Sequence, residues 1–187
     1  MISEVQKNIN SKVISCTDCK LHKLEINDNS KYEKGYGKLV SKEGKNSNKY
    51  MILGLNPSHI RFKGLKRPFD ADNEFGYHEK KFVVLLMVLK VYDDCYISNI
   101  VKCSSLDNVV NQDSFIACSK YIIEEIEYAN PRVIIVCGNK TYDYLLQLNI
   151  KNIKIEKILH PSFCFGYKRI SLEEYSKQLK IIFDKYG

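Results

Sequence analysis

No stretch of this chain is apolar for long enough to cross a bilayer. The longest such run, Phe82 to Leu89, is less than half of what a spanning helix needs. The opening residues, Met1-Ile-Ser-Glu-Val-Gln, lack the basic patch and apolar stretch of a secretory signal. The expectation is therefore a protein kept in a reducing cytoplasm, associated with the nucleoid if the source is prokaryotic. No internal repeat and no heptad pattern is present, which argues against a solenoid or a coiled coil. Nor is there a disulfide framework, because the seven cysteines are odd in number and unevenly spaced. In a reducing compartment they need another reason, either burial as small apolar residues or metal binding.

What is present suits one globular domain. The chain has 187 residues, 44% of them hydrophobic, enough for a full-sized core. Its formal net charge of +7 favours phosphate-bearing partners slightly, although richness in Lys, Asn, Ile and Tyr is also a compositional bias. A polar stretch, Ile26 to Lys49, reads as a long loop or an edge hairpin and separates a short N-terminal element from the rest. The expected organisation is a single domain over 1–187, with an N-terminal segment at 1–49 and an α/β core at 50–187.

Within that core, apolar runs alternate with helical patterns. Tyr50 to Gly54, Cys95 to Val101, Arg132 to Cys137 and Ile153 to Leu159 read as strands. His78 to Tyr92, Asp113 to Ala129 and Thr141 to Leu148 read as helices. Asn130-Pro131 ends the second of these, and Ser171-Leu-Glu-Glu174 is a capping box that opens a last helix to Tyr186. This alternation predicts a three-layer α/β/α domain around a central, mostly parallel four-stranded sheet. In such sheets ligands bind beyond the carboxyl ends of the strands. Three segments follow strands at that edge: Gly54-Leu-Asn-Pro-Ser58, Ser98 to Cys103, and His160-Pro-Ser162.

Cys16-Thr-Asp-Cys19 is a pair able to chelate one metal centre, and Cys103 and Cys118 stand where they could complete a set of four. Four thiolates suit a 4Fe–4S cluster or a zinc ion. Cys118 also fits an apolar helical face as plain core. Cys95 and Cys137 read as core, and Cys164 is as readily a free thiol as a ligand.

Five motifs then occur in order: Cys16-Thr-Asp-Cys-Lys-Leu21; Gly54-Leu-Asn-Pro-Ser58 with Gly64 and Pro68-Phe69; Asn99-Ile-Val-Lys-Cys103; Cys118 followed by Pro131-Arg-Val-Ile-Ile-Val-Cys-Gly138; and His160-Pro-Ser162. In this order and spacing, from Cys16 to the last helix, the chain resembles the uracil-DNA glycosylase superfamily, most closely its iron–sulfur (family-four-like) branch. The resemblance implies a structural 4Fe–4S cluster on Cys16, Cys19, Cys103 and Cys118, and no organic cofactor. It implies a monomer acting on DNA that holds uracil or a deaminated base, with no membrane partner. It assigns Asn99 to reading the base edge, which an amide suits because it sets a donor beside an acceptor. Phe69 would stack on the flipped base, with Gly54, Leu55 and Ser162 lining its site. His160 would stabilise the departing base, and Ser58, Lys168 and Arg169 would contact DNA phosphates. Each has an ordinary alternative: a capping role for Asn99, a core position for Phe69, a solvated turn for Lys168 and Arg169.

One loop departs from the pattern. The iron–sulfur branch has Gly-Glu-Ala-Pro-Gly with acids just beyond, whereas this chain has Asn56 and no acid before Asp70. Gly-x-Asn-Pro resembles the mismatch-specific and single-strand-selective branches, where the Asn positions the attacking water. Asn56 takes that role here, with Asp70 and Asp72 as reserves. An amide cannot deprotonate water, so catalysis leans on the leaving group. The implied function is excision of uracil, a mispaired thymine or a deaminated purine. Two alternatives stand beside it: a non-catalytic DNA- or uracil-binding protein of the same fold, and an unrelated metal-stabilised α/β protein.

Overall fold

The computed structural model describes residues 3–23, 38–39, 49–57, 77–103, 105 and 109–187. Strands β2 (Tyr50–Gly54), β3 (Cys95–Asn99), β4 (Val133–Cys137) and β5 (Lys154–Ile158) form the expected parallel sheet. A two-residue strand, β1 (Lys38–Leu39), pairs antiparallel with β3 and brings the sheet to five strands in the order β1-β3-β2-β4-β5. It comes from the polar stretch, where the sequence left loop and edge hairpin open.

Side chains alternate across the sheet, as the pleat requires. Tyr50, Ile52, Cys95, Ile97, Val133, Ile135 and Cys137 enter one core with Phe82 and Leu86 of α2 (Tyr77–Val88) and Tyr175, Leu179 and Phe183 of α6 (Leu172–Tyr186). Met51, Leu53, Tyr96, Ile134 and Val136 enter the other with Phe115, Cys118, Ile122 and Ile126 of α3 (Gln112–Ala129) and Leu145 of α4 (Asn139–Gln147). Strands β2, β3 and β4 are buried on both faces, which is why they read as unbroken apolar runs. At the edge, β5 is only partly buried and shows Lys154 and Lys157 to solvent, charges that discourage pairing with another chain.

The helix ends follow local chemistry. Asn111 caps α3, its Oδ1 accepting the Ser114 N–H at 2.9 Å, and Asn130 ends it in the left-handed region at φ 42 before Pro131. Ser171 caps α6 by accepting the Glu174 N–H at 3.1 Å. Helix α2 stops at Val88 rather than Tyr92, and a 3-10 turn over Tyr92–Asp94 leads into β3. Helix α1 (Glu4–Ser15) lies on α3, with Ile9 and Val13 buried. No helix among the described residues is long and apolar enough to cross a membrane.

The helix that follows β2, α2, packs on one face of the sheet, and the helix that follows β4, α4, packs on the other. Adjacent strands whose connections leave to opposite sides open a crevice at their carboxyl ends. Gly54 and Cys137-Gly138 stand at that point.

Candidate active site

The loops after β2 and β3 are tied together by backbone bonds that extend the ladder. Ile100 N–H donates to Gly54 O at 2.9 Å and Val101 N–H to Leu55 O at 2.8 Å. Gly54 faces Asn99 in the strand register, so Leu55 and Asn56 emerge beside the last residue of β3. The Asn56 Nδ2 is 3.0 Å from Pro57 O and 3.0 Å from Ser105 Oγ, and Ser105 is buried. Asn99 is only 6% exposed, yet its side-chain amide makes no hydrogen bond to any described residue. Buried amides are normally paired, so an open one at a strand end suits a ligand.

The Asn99 main chain is braced from below. Its carbonyl accepts from Lys102 Nζ at 2.8 Å, and the same ammonium donates to Ser98 Oγ at 2.8 Å and Glu125 Oε2 at 2.7 Å. Ser98 Oγ also donates to Glu125 Oε2 at 2.7 Å, closing a buried network. All three ammonium hydrogens thus find acceptors, the condition under which a buried lysine is tolerated.

His160 follows β5 and caps α5 (Pro161–Phe165), a five-residue helix inside what the sequence reads as a loop. Its Nδ1 accepts the Ser162 N–H at 3.2 Å and lies 2.9 Å from Ser162 Oγ. In a neutral imidazole that bond leaves the proton on Nε2, which becomes the donor. Gly138, at φ +93, stands against it: a Cβ there would lie 3.6 Å from the His160 Cβ. The positive φ suits glycine because L side chains strain there. The end of β4 and His160 therefore share one corner of the crevice.

Beyond α5 the chain turns through Lys168 at φ 51, and Arg169 N–H donates to Phe163 O at 2.8 Å. The Arg169 guanidinium lies 5.4 Å from the ring centres of both Phe163 and Tyr167. Tyr167 is 66% exposed and presents an aromatic surface beside two cations.

The four cysteines of the expected ligand set fall in one region. Cys16 ends α1 and Cys19 packs against the core that holds Leu21, Cys103 and Cys118. Burial pushes the Cys118 thiol up to about 11; the Lys102 N–H, 3.5 Å from its Sγ, pulls the other way, and nearby Cys19 and Cys16 add to the rise. Among the described residues no three His, Cys, Asp or Glu side chains converge closely enough to hold a single ion. Ser58, Gly64, Phe69, Asp70 and Asp72 lie outside the described residues.

Sequence reading missed Ser105, Glu125 and Tyr167, and quoted Lys102 only as part of a motif. Glu125 had a signal: it lies seven residues after Cys118 and three after Ile122, on the buried stripe of α3, where a carboxylate needs a partner.

The arrangement is a crevice at a parallel-sheet edge with two asparagines, a histidine donor and a basic aromatic turn. The chain belongs to the uracil DNA glycosylase superfamily, whose family model matches residues 41–181. Among curated proteins it is similar to the type-4 uracil-DNA glycosylase of Saccharolobus solfataricus, 26% identical over 174 residues that cover 89% of this chain and 73% of that one. It is also similar to the type-4 uracil-DNA glycosylase of Sulfurisphaera tokodaii, 27% identical over 164 residues that cover 87% of this chain and 68% of that one.

Proposed function

We propose that this protein is a DNA glycosylase that flips uracil, or a related deaminated base, out of DNA and hydrolyses its glycosidic bond. Three polar side chains at one sheet edge carry the reading: Asn56 after β2, Asn99 at the end of β3 and His160 after β5. Asn99 offers an amide with no side-chain hydrogen bond among the described residues, and its donor and acceptor match what a uracil edge needs. His160, with Nδ1 committed to Ser162, donates from Nε2 to the base oxygen on which charge develops. The N1–C1′ electron pair leaves with the base, and a water held by Asn56 bonds to C1′. The lost water proton passes to solvent or to the departing base, because an amide does not take it. Gly54, Leu55, Ser162 and Phe69 complete the base site in this reading. Ser58, Lys168 and Arg169 contact the DNA backbone in this reading, and Tyr167 lies beside Arg169.

Cys16, Cys19, Cys103 and Cys118 would hold a 4Fe–4S cluster, which supplies a structural clip between the N-terminal turn and α3. Their thiol chemistry and shared region support it.

The test is single-turnover excision by iron-loaded protein on oligonucleotides with uracil opposite guanine, opposite adenine and in single strands. Alkali-labile breaks at uracil are expected. His160→Ala and Asn56→Ala each lower the rate about 10²–10³-fold, the scale of a lost transition-state donor or oriented water. Tight binding of uracil-DNA with no breaks in any context would instead establish the binding-only alternative.

A further inference from the structure

Asn56 is held by a partner that none of the motifs contains. Ser105 is 1% exposed, and its Oγ lies 3.0 Å from Asn56 Nδ2 across 49 residues of chain. The same Nδ2 lies 3.0 Å from Pro57 O. A carbonyl oxygen only accepts, so the amide end that faces Pro57 is the NH₂ group, and the orientation of the amide follows from chemistry alone. That group has two hydrogens. One goes to Pro57 O and the other to Ser105 Oγ, so both donors are used. Oδ1 has no partner among the described residues and remains as the one polar atom that Asn56 offers the crevice.

The polarity of that atom matters to the reaction. A water on Oδ1 must give it a hydrogen, which leaves an oxygen lone pair to turn toward the sugar carbon. A flipped amide would donate to the water oxygen instead, drawing electron density away from the atom that attacks and leaving the water's hydrogens unheld. Pro57 is the next residue in the chain, and one local bond leaves the amide able to pivot about it. The second bond, from the other side of the loop, stops that pivot.

We propose that Ser105 is a positioning residue that fixes Asn56 as a pure acceptor for the attacking water. This rests on the glycosylase reading above. It predicts that the side chain at 105 governs the chemical step without touching the base.

The experiment compares wild type, Ser105→Ala and Ser105→Thr, each also in an Asn56→Ala background. Excision of uracil is followed in single turnovers, and binding is measured on DNA carrying a non-cleavable 2′-fluoro-deoxyuridine. Ser105→Ala is expected to slow excision about tenfold, the effect of one lost hydrogen bond on a barrier. Binding stays unchanged, and Ser105→Thr, which keeps the hydroxyl, restores most of the rate. In the Asn56→Ala background Ser105→Ala adds nothing. A wild-type rate in Ser105→Ala overturns the proposal. So does an equal loss in the Asn56→Ala background, which would mark a general structural role. Hydrogen exchange of the Asn56 side-chain amide, read by NMR, is slow in wild type and accelerated in Ser105→Ala; unchanged exchange also overturns the proposal. If wild type excises nothing, the glycosylase reading falls, and the amide exchange alone decides whether Ser105 holds Asn56.

Discussion

At the scale of single residues, the polar atoms of this site are committed in a way that sets the chemistry. Asn56 donates from Nδ2 to Pro57 O and Ser105 Oγ, which leaves Oδ1 as its acceptor, and His160 Nδ1 accepts from Ser162, which leaves Nε2 to donate. In the reading proposed above, neither group removes a proton from water. Bond breaking therefore has to run ahead of attack, driven by how well the base carries negative charge. A base with a more acidic N1 should leave faster. Excision of 5-fluorouracil is expected to exceed that of uracil by about tenfold in single turnovers, the equivalent of about 1.4 kcal/mol of barrier. Equal rates for the two would mean that attack by water limits the reaction, and would point to a carboxylate base instead. The place of Asn56 just past the end of β2 was legible in the sequence, because Gly54-Leu-Asn-Pro57 closes an apolar run. Its orientation was not, because the partner that sets it lies 49 residues away and no local pattern links the two.

At the scale of elements, β3 and α3 are joined beneath the site by a buried charge pair. Lys102 lies just past the end of β3 and Glu125 on α3, 2.7 Å apart, with side chains 2% and 0% exposed. Their attraction is offset by the cost of removing both from water, so the pair adds little net stability. Losing one partner is different, because the other charge stays buried alone. Lys102→Met is expected to destabilise the protein by about 3–5 kcal/mol, read from the denaturation midpoint. Lys102→Met with Glu125→Leu should recover most of that loss. A single variant costing under about 1 kcal/mol would mean that water reaches the pair. The strands themselves were plain in the sequence, since β2 and β4 are apolar runs closed by Gly54 and Gly138. Helix α5 was not, because five residues are too few to show a period. The lysine–glutamate pair was half legible: Glu125 on an apolar stripe called for a cation, and only the folded chain shows that Lys102 supplies it.

At the scale of the whole molecule, the question is what holds the N-terminal segment to the core. The cysteine motif suggests that the metal does it. Helix α1 has contacts of its own, however. Ile9 and Val13 are buried, Tyr96 Oη donates to Gln6 Oε1 at 2.8 Å, and Ser3 Oγ donates to Tyr128 Oη at 2.7 Å. Lys12–Glu124 and Lys120–Asp18 add exposed pairs, which count for little. Buried apolar side chains and a buried hydrogen bond are worth more than those pairs, at about 1.5–3 kcal/mol for each fully buried aliphatic. Removing iron should then leave α1 docked and loosen only the turn that carries Cys16 and Cys19. Hydrogen exchange should show α1 amides protected equally with and without iron. Iodoacetamide should alkylate Cys16 and Cys19 in iron-free protein and spare them in loaded protein. Cys95 and Cys137 should stay unmodified in both, since both are buried and burial pushes the Cys137 thiol up to about 12 and Cys95 higher still. At pH 8 a thiol near 12 is ionised in only about one molecule in ten thousand, and the thiolate is the form that reacts. Loss of α1 protection together with the iron would make the cluster the hold on the N-terminal segment. Protection that survives would make the cluster a local clip on a helix already in place.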